Sequence, residues 1–336
     1  MEPIRHFLNT YDWSHPELQT LLDNARAFRE SPYSQDLEGK TIALLFLNKS
    51  LRTRTSFEVG TYHMGGHAIV LTPSGGMWPL EFEKGAVMLG DAEEHAREGA
   101  KVLSRYCDLI AIRAFPKFQD WAEDRKDQIL TSFAEHAEVP IINMETITHP
   151  CQEMAMTMAL QDHVGDLNGK KFVLTWSYHP KPLNTAVANS ALVAAAKFGM
   201  DVTLLCPTEE FVLDERYLDI ARADASANGQ SLTITHDIDE AYDDADIVYA
   251  KSWGALPYFG RWSEEKPIRD RFKHFIVDEA KMARTNGAVV SHCLPMRRNV
   301  IMTDGVFDGP QCIAYDEAEN RLHVQKAIMK TLATRN

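Results

Sequence analysis

Short apolar runs alternate with longer amphipathic ones over almost the whole chain, and this rhythm restricts the fold more than any other feature. Residues 41–47 (TIALLFL), 67–72 (HAIVLT), 107–114 (CDLIAIRA) and 139–145 (VPIINME) read as buried strands. Residues 15–30 carry helical periodicity behind Ser14, an N-cap with Glu17 three residues on. Residues 54–66 read as a helix stopped by a Gly pair, 92–106 as another helix, and 73–79 (PSGGMWP) as a loop. The second half repeats the pattern, with strands at 170–178, 200–207, 232–237, 246–252 and 288–295. Its helices fall at 184–199, 214–229 and 278–287, and a last helix, about 318–333, closes the chain.

This alternation predicts an α/β protein of two parallel-sheet units with right-handed crossovers. The division falls between THPCQ and DLNGKK, in a helix starting near Cys151. It gives units of 1–150 and 151–336, with the last helix free to pack back on the first. In such sheets ligands bind beyond the carboxyl ends of the strands. Three polar clusters stand there: SLRTRT (50–55), SYHPKPLN (177–184) and SHCLPMRR (291–298).

The first cluster demands the most explanation. A strand runs into a turn at Asn48 and Lys49, then into a helix near Leu51. The first amides of a helix lack internal partners and the dipole makes that end positive, so it takes phosphate. Ser50 and Thr53 add hydroxyl donors, and Arg52 adds a planar fork. Two arginines, Arg52 and Arg54, at a positive helix end require a compensating anion. Neither GxxxxGK[ST] nor a GxGxxG after a strand occurs, so the phosphate belongs to a small molecule rather than a nucleotide.

The net charge is 35 − 48 = −13, which argues against a nucleic-acid partner. A local basic cluster still acts at contact, because screening sets in over about 8 Å. The five cysteines, Cys107, Cys151, Cys206, Cys293 and Cys312, show neither paired nor zinc-type spacing. A reducing, cytoplasmic setting without a metal is the expectation. No signal-peptide core and no apolar run near the roughly 20 residues that span a bilayer is present, so no membrane partner is expected. The acidic run at 236–246 lacks the central Gly and final Glu of a calcium loop and reads as a solvated helical face.

SLRTRT, HPCQ (149–152) and HCLP (292–295), in this order and at these separations, resemble the aspartate/ornithine carbamoyltransferase family. That family usually writes the first motif STRTR; Leu51 departs from it but keeps the backbone amide. FPKFQDW, NMETITHPCQE, LTWSYHPKPLNTAVANSAL, YAKSWGALP and AENRLHVQKAIM resemble its N-acetylornithine branch. AKSWGALP stands where the ornithine enzymes carry an SMG loop.

The resemblance implies two carbamoyltransferase-type domains, the first for carbamoyl phosphate and the second for the amino-acid substrate. It implies carbamoyl phosphate at Ser50, Leu51, Arg52, Thr53, Arg113, His149 and Gln152, with Trp78 reaching in from a neighbouring subunit of a homotrimer. It implies N-acetyl-L-ornithine at Glu145, His179, Asn184, Lys251, Cys293, Leu294, Arg297 and Arg321, with Glu93 facing the acyl end and no cofactor. Related N-succinylornithine enzymes carry a proline at the Glu93 position, and a carboxylate there repels a succinyl group. Some N-acetylornithine enzymes have a carboxylated lysine after RRNV; Ile301 stands there in this chain and cannot form a carbamate. The resemblance also favours a cis bond at Leu294-Pro295.

The implied reaction is attack of a primary amine on the carbonyl carbon of carbamoyl phosphate, followed by loss of phosphate. Arg113, His149 and Thr53 are candidate donors to the oxyanion. A free alkyl amine has a pKa of about 10.4, so the site must favour the neutral form. Cys293 and the carbonyl of Leu294 can accept its hydrogen bonds, and the departing phosphate can take its proton. Taken singly, His149 equally suits a structural role, Cys293 a small buried hydrophobe, and Trp78 packing on its own subunit. The rival functions are an N-succinylornithine acceptor and a non-catalytic anion-binding homologue.

Overall fold

The computed structural model describes residues 4–73, 75 and 78–334. The first half contains β1 (Thr41–Phe46), β2 (His67–Leu71), β3 (Leu80–Glu81), β4 (Glu94–His95), β5 (Leu109–Arg113) and β6 (Ile141–Glu145). The second contains β7 (Lys171–Trp176), β8 (Asp201–Leu205), β9 (Leu232–Thr235), β10 (Ile247–Lys251) and β11 (Val289–Ser291). Two parallel sheets result, ordered β2-β1-β5-β6 and β11-β10-β7-β8-β9, with β3 and β4 paired apart from both. Strands β5, β6 and β10 are buried at every residue because helices cover both faces of their sheets. The order reverses between β1 and β5 and again between β7 and β10, and each reversal opens a crevice at the carboxyl ends.

The helix His15–Glu30 starts at a capping box formed by Ser14 and Glu17. The helix Pro150–Val164 follows β6 and is buried from Pro150 to Leu160, with no solvent face over that stretch. The final helix, Ala314–Ala333, returns from the second sheet to pack on His15–Glu30, Arg52–His63 and Pro150–Val164. Gly60 permits this close approach, since a Cβ there would lie 3.2 Å from Lys326 Cγ.

Some local expectations fail. Residues 92–95 do not begin a helix: Glu94 and His95 pair with Leu80 and Glu81, and the helix is Ala96–Tyr106. His95 Nδ1 accepts the Arg97 N–H at 3.1 Å, so it caps the helix instead of extending it. Within 278–287 only Glu279–Met282 is helical, and the chain then turns to Gly287 at φ 64°. Four helices have no counterpart in the sequence reading: Trp121–Asp124, Gln128–His136, Trp262–Arg269 and Asp304–Phe307. In the loop at 73–79, Ser74, Gly76 and Met77 lie outside the described residues. The acidic run uses Asp237 to cap the helix Ile238–Tyr242, accepting the N–H groups of Asp239 (2.8 Å) and Glu240 (3.2 Å). Among the described residues no His/Cys/Asp/Glu cluster suits a metal, and no helix is long and apolar enough to cross a membrane.

Candidate active site

A cavity of about 770 Å³ opens where the carboxyl ends of the two sheets face each other. Every residue proposed from the sequence lines it except Trp78 and Glu93. The segment 50–53 arrives from β1, Arg113 ends β5, Glu145 ends β6, and Lys251 ends β10. His179 follows β7 and the segment 293–297 follows β11, while Arg321 comes from the final helix. The wall carries Lys49, Arg52, Arg113, Lys251, Arg297 and Arg321 against one carboxylate, Glu145, so the cavity is basic in an acidic protein.

Ser50 sits at the helix entrance, where its Oγ accepts the Thr53 N–H at 3.1 Å. The Leu51 side chain is 78% exposed, so position 51 contributes backbone rather than packing. Thr53 is buried, and its Oγ1 accepts Arg321 Nη2–H at 2.6 Å, joining the two ends of the chain at the site. Arg54 points away, to Glu58 at 3.2 Å. Arg113 donates to Glu145, whose Oε2 lies 3.4 Å from His149 Nε2. Arg52, Arg113 and Arg321 each hold a buried Nε–H with no partner among the described residues, and His149 Nδ1 is likewise unpartnered. Buried polar groups left so are costly, and an oxygen-rich anion supplies the missing acceptors. Burial, with Arg321, Arg113, Lys251 and Arg52 nearby, holds the His149 pKa well below the usual histidine value, so the ring is neutral.

On the other side, Asn184 Nδ2–H donates to the Thr146 carbonyl at 2.6 Å, and its Oδ1 accepts the Ala186 N–H at 3.2 Å. Arg297 Nε–H donates to His179 Nε2 at 3.0 Å, which leaves Nδ1–H to donate to the Lys181 carbonyl at 2.8 Å. Burial lowers the His179 pKa, consistent with this neutral tautomer. Cys293 is buried and its thiol is pushed up by burial, so it stays protonated. The Leu294-Pro295 bond is cis. Ile301 is 1% exposed in the hydrophobic core, and its carbonyl accepts the Val277 N–H at 2.9 Å.

The sequence reading did not include Lys49, Phe115, Leu183, Val187, Pro295 or Met296, which complete the wall. Adjacency to a named motif was the only signal for most of them. Phe115 lies under the Arg113 guanidinium, 4.5 Å from ring centroid to Cζ.

Trp78 and Glu93 do not reach the cavity of their own chain. Trp78 is 66% exposed and Glu93 is exposed. They share one edge, because the Glu93 N–H donates to the Pro79 carbonyl at 3.1 Å and Leu80 pairs with Glu94. The loop beyond them exposes Val87 and Leu89.

The family model for the carbamoyl-P binding domain of aspartate/ornithine carbamoyltransferases matches residues 5–162, and that for the Asp/Orn binding domain matches 178–332. The chain belongs to the aspartate/ornithine carbamoyltransferase family. It is 64% identical over 331 residues to the N-acetylornithine carbamoyltransferase of Xanthomonas campestris, covering 98% of each chain. It is 63% identical over 333 residues to the enzyme of that name from Xylella fastidiosa, covering 98% of this chain and 99% of the relative. A crystal structure of acetylornithine transcarbamylase complexed with acetylcitrulline matches with a TM-score of 0.97 at 63% identity, covering 98% of this chain and 99% of that one.

Proposed function

We propose that this protein transfers the carbamoyl group of carbamoyl phosphate to the δ-amine of N-acetyl-L-ornithine, giving N-acetyl-L-citrulline and phosphate, as a step of arginine synthesis. One observation carries the proposal. A cavity holding three arginines whose buried Nε–H groups have no partner among the described residues adjoins a second set of polar groups suited to an amino acid. The likeness to N-acetylornithine carbamoyltransferases supports the acceptor.

Phosphate oxygens sit at the helix entrance on Ser50, the Leu51 amide, Arg52 and Thr53. Arg113, neutral His149 and Thr53 donate to the carbonyl oxygen as it becomes an oxyanion. Removing one such donor from acyl-transfer enzymes costs about 2.7–4 kcal/mol. Cys293, a thiol and not a thiolate, and the Leu294 carbonyl accept hydrogen bonds from the δ-amine and aim its lone pair at the carbonyl carbon. The C–N bond forms, the C–O bond to phosphate breaks, and the departing phosphate takes the amine proton. Glu145, His179, Asn184, Lys251, Arg297 and Arg321 hold the acceptor.

Residues 1–150 form the carbamoyl-phosphate domain and 151–336 the acceptor domain in this reading. The chain works as a cytoplasmic homotrimer, in which the edge bearing Trp78 and Glu93 completes the site of a neighbouring copy. The exposure of that edge and of Val87 and Leu89 supports this arrangement. The deciding assay offers carbamoyl phosphate with ornithine, N-acetylornithine or N-succinylornithine and measures citrulline-type product. Product with the acetyl compound is expected. Product with the succinyl compound alone refutes the role given to Glu93, and none with any acceptor refutes the proposal.

A further inference from the structure

Glu317 lies one helical turn before Arg321 on the final helix and is fully buried. Its carboxylate gathers three elements. Gln152 Nε2–H donates to Oε1 at 2.5 Å, the Tyr249 hydroxyl donates to the same oxygen at 2.8 Å, and the Ser291 hydroxyl donates to Oε2. Gln152 lines the cavity itself. Tyr249 precedes Lys251 by two residues on β10, and Ser291 precedes Cys293 by two at the end of β11, so each strand's next residue on that side is a cavity residue. Burial raises the Glu317 pKa above the ordinary glutamate value, and the three donors together with Arg321 oppose that rise.

A carboxylate only accepts hydrogen bonds, so the end of the Gln152 amide that meets Glu317 is its NH2 end. The carbonyl oxygen is the acceptor that this amide keeps for the cavity. An unconstrained amide is nearly isosteric under a half turn of its last bond and presents either end.

We propose that Glu317 is a positioning residue that fixes the Gln152 amide with its carbonyl oxygen toward the bound carbamoyl group, so that the site selects a ligand carrying NH2 there over the methyl of an acyl phosphate such as acetyl phosphate. The inference rests on carbamoyl phosphate being the donor. The two phosphates match in charge and nearly in size, but only the NH2 group can donate. A site built for a donor rejects the analogue that lacks it, because its own acceptor is left unpaired.

The test compares wild type with Glu317→Gln, measuring KM for carbamoyl phosphate, KM for the acceptor, and the inhibition constant of acetyl phosphate as a competitor. A neutral amide at 317 no longer dictates which end of Gln152 faces it. KM for carbamoyl phosphate is expected to rise about tenfold, the equivalent of one hydrogen bond. The acetyl phosphate constant and the acceptor KM should stay within about twofold, so the discrimination ratio falls about tenfold. In a Gln152→Met background Glu317→Gln should add little, because the oriented group is gone. A folded Glu317→Gln enzyme that keeps the wild-type ratio overturns the proposal. If that variant does not fold, Gln152→Met alone must lose the ratio, and its retention overturns the proposal equally. Wild type that makes no product from carbamoyl phosphate defeats the donor assignment itself, and this inference with it. Wild-type turnover with unaltered discrimination in the variants defeats the inference alone.

Discussion

Glu153 makes stability depend on pH in a way that a single substitution isolates. It lies in the first turn of the helix Pro150–Val164, four residues after His149, and is 3% exposed. Burial raises its pKa from 4.5 to about 8, and the adjacent hydroxyls of Thr10 and Ser190 offset only part of that. The folded protein therefore holds a proton that the unfolded chain releases above pH 4.5. The group's stabilising contribution is complete below pH 4.5, declines as pH rises, and is gone above about 8. One pKa unit corresponds to 1.36 kcal/mol, so the shift of about 3.5 units amounts to about 5 kcal/mol in all. Between pH 5.5 and 7.5 the loss is on the order of 2–3 kcal/mol. Glu153→Gln does not titrate, so the stability of the variant relative to wild type should rise by about that much over the same interval. Urea unfolding of both proteins at the two pH values measures it, and the contributions of every other group cancel in the difference. A relative stability that does not change with pH would refute the assignment of a protonated Glu153. The site feels this group, because the Ser190 hydroxyl beside it accepts the His149 backbone N–H at 2.7 Å.

Other consequences are open to direct measurement. Cys293→Ala should lower kcat while leaving carbamoyl-phosphate affinity nearly unchanged; the opposite pattern would count against an amine-aiming thiol. Glu93→Pro should admit N-succinylornithine as an acceptor, read as new product in the three-amine assay. Trp78→Ala and Arg113→Met should each be nearly inactive. Refolding them together should restore activity at about a quarter of sites, since a random trimer unites an intact Arg113 with a neighbour's intact Trp78 at that frequency. No recovery would place Trp78 outside any shared site.

The sheets were legible in the sequence because buried parallel strands leave uninterrupted apolar runs, as in TIALLF and LIAIR. The polar residues that break those runs fall at the carboxyl ends, so position alone pointed to Ser50, Arg113 and His149. The helices Trp121–Asp124 and Gln128–His136 were missed because each is short and carries few apolar repeats. Trp262–Arg269 was hidden by Pro267, which interrupts the usual helical signal. Residues 92–95 misled because Ala and Glu favour helix, whereas the pairing that prevails comes from Leu80 and Glu81. Glu317 gave no signal of its own. A glutamate on a helix reads as solvated until Gln152, Tyr249 and Ser291 are brought to it. Nor does any local pattern say that Trp78 and Glu93 stand on an exposed edge away from the cavity.

The bond from Arg321 to Thr53 spans 268 residues, and its donor sits in the last helix of the chain. During synthesis the early sheet can form long before that arginine leaves the ribosome. A polypeptide that has not yet reached Arg321 would therefore carry the loop at residues 50–53 without the residue that braces Thr53.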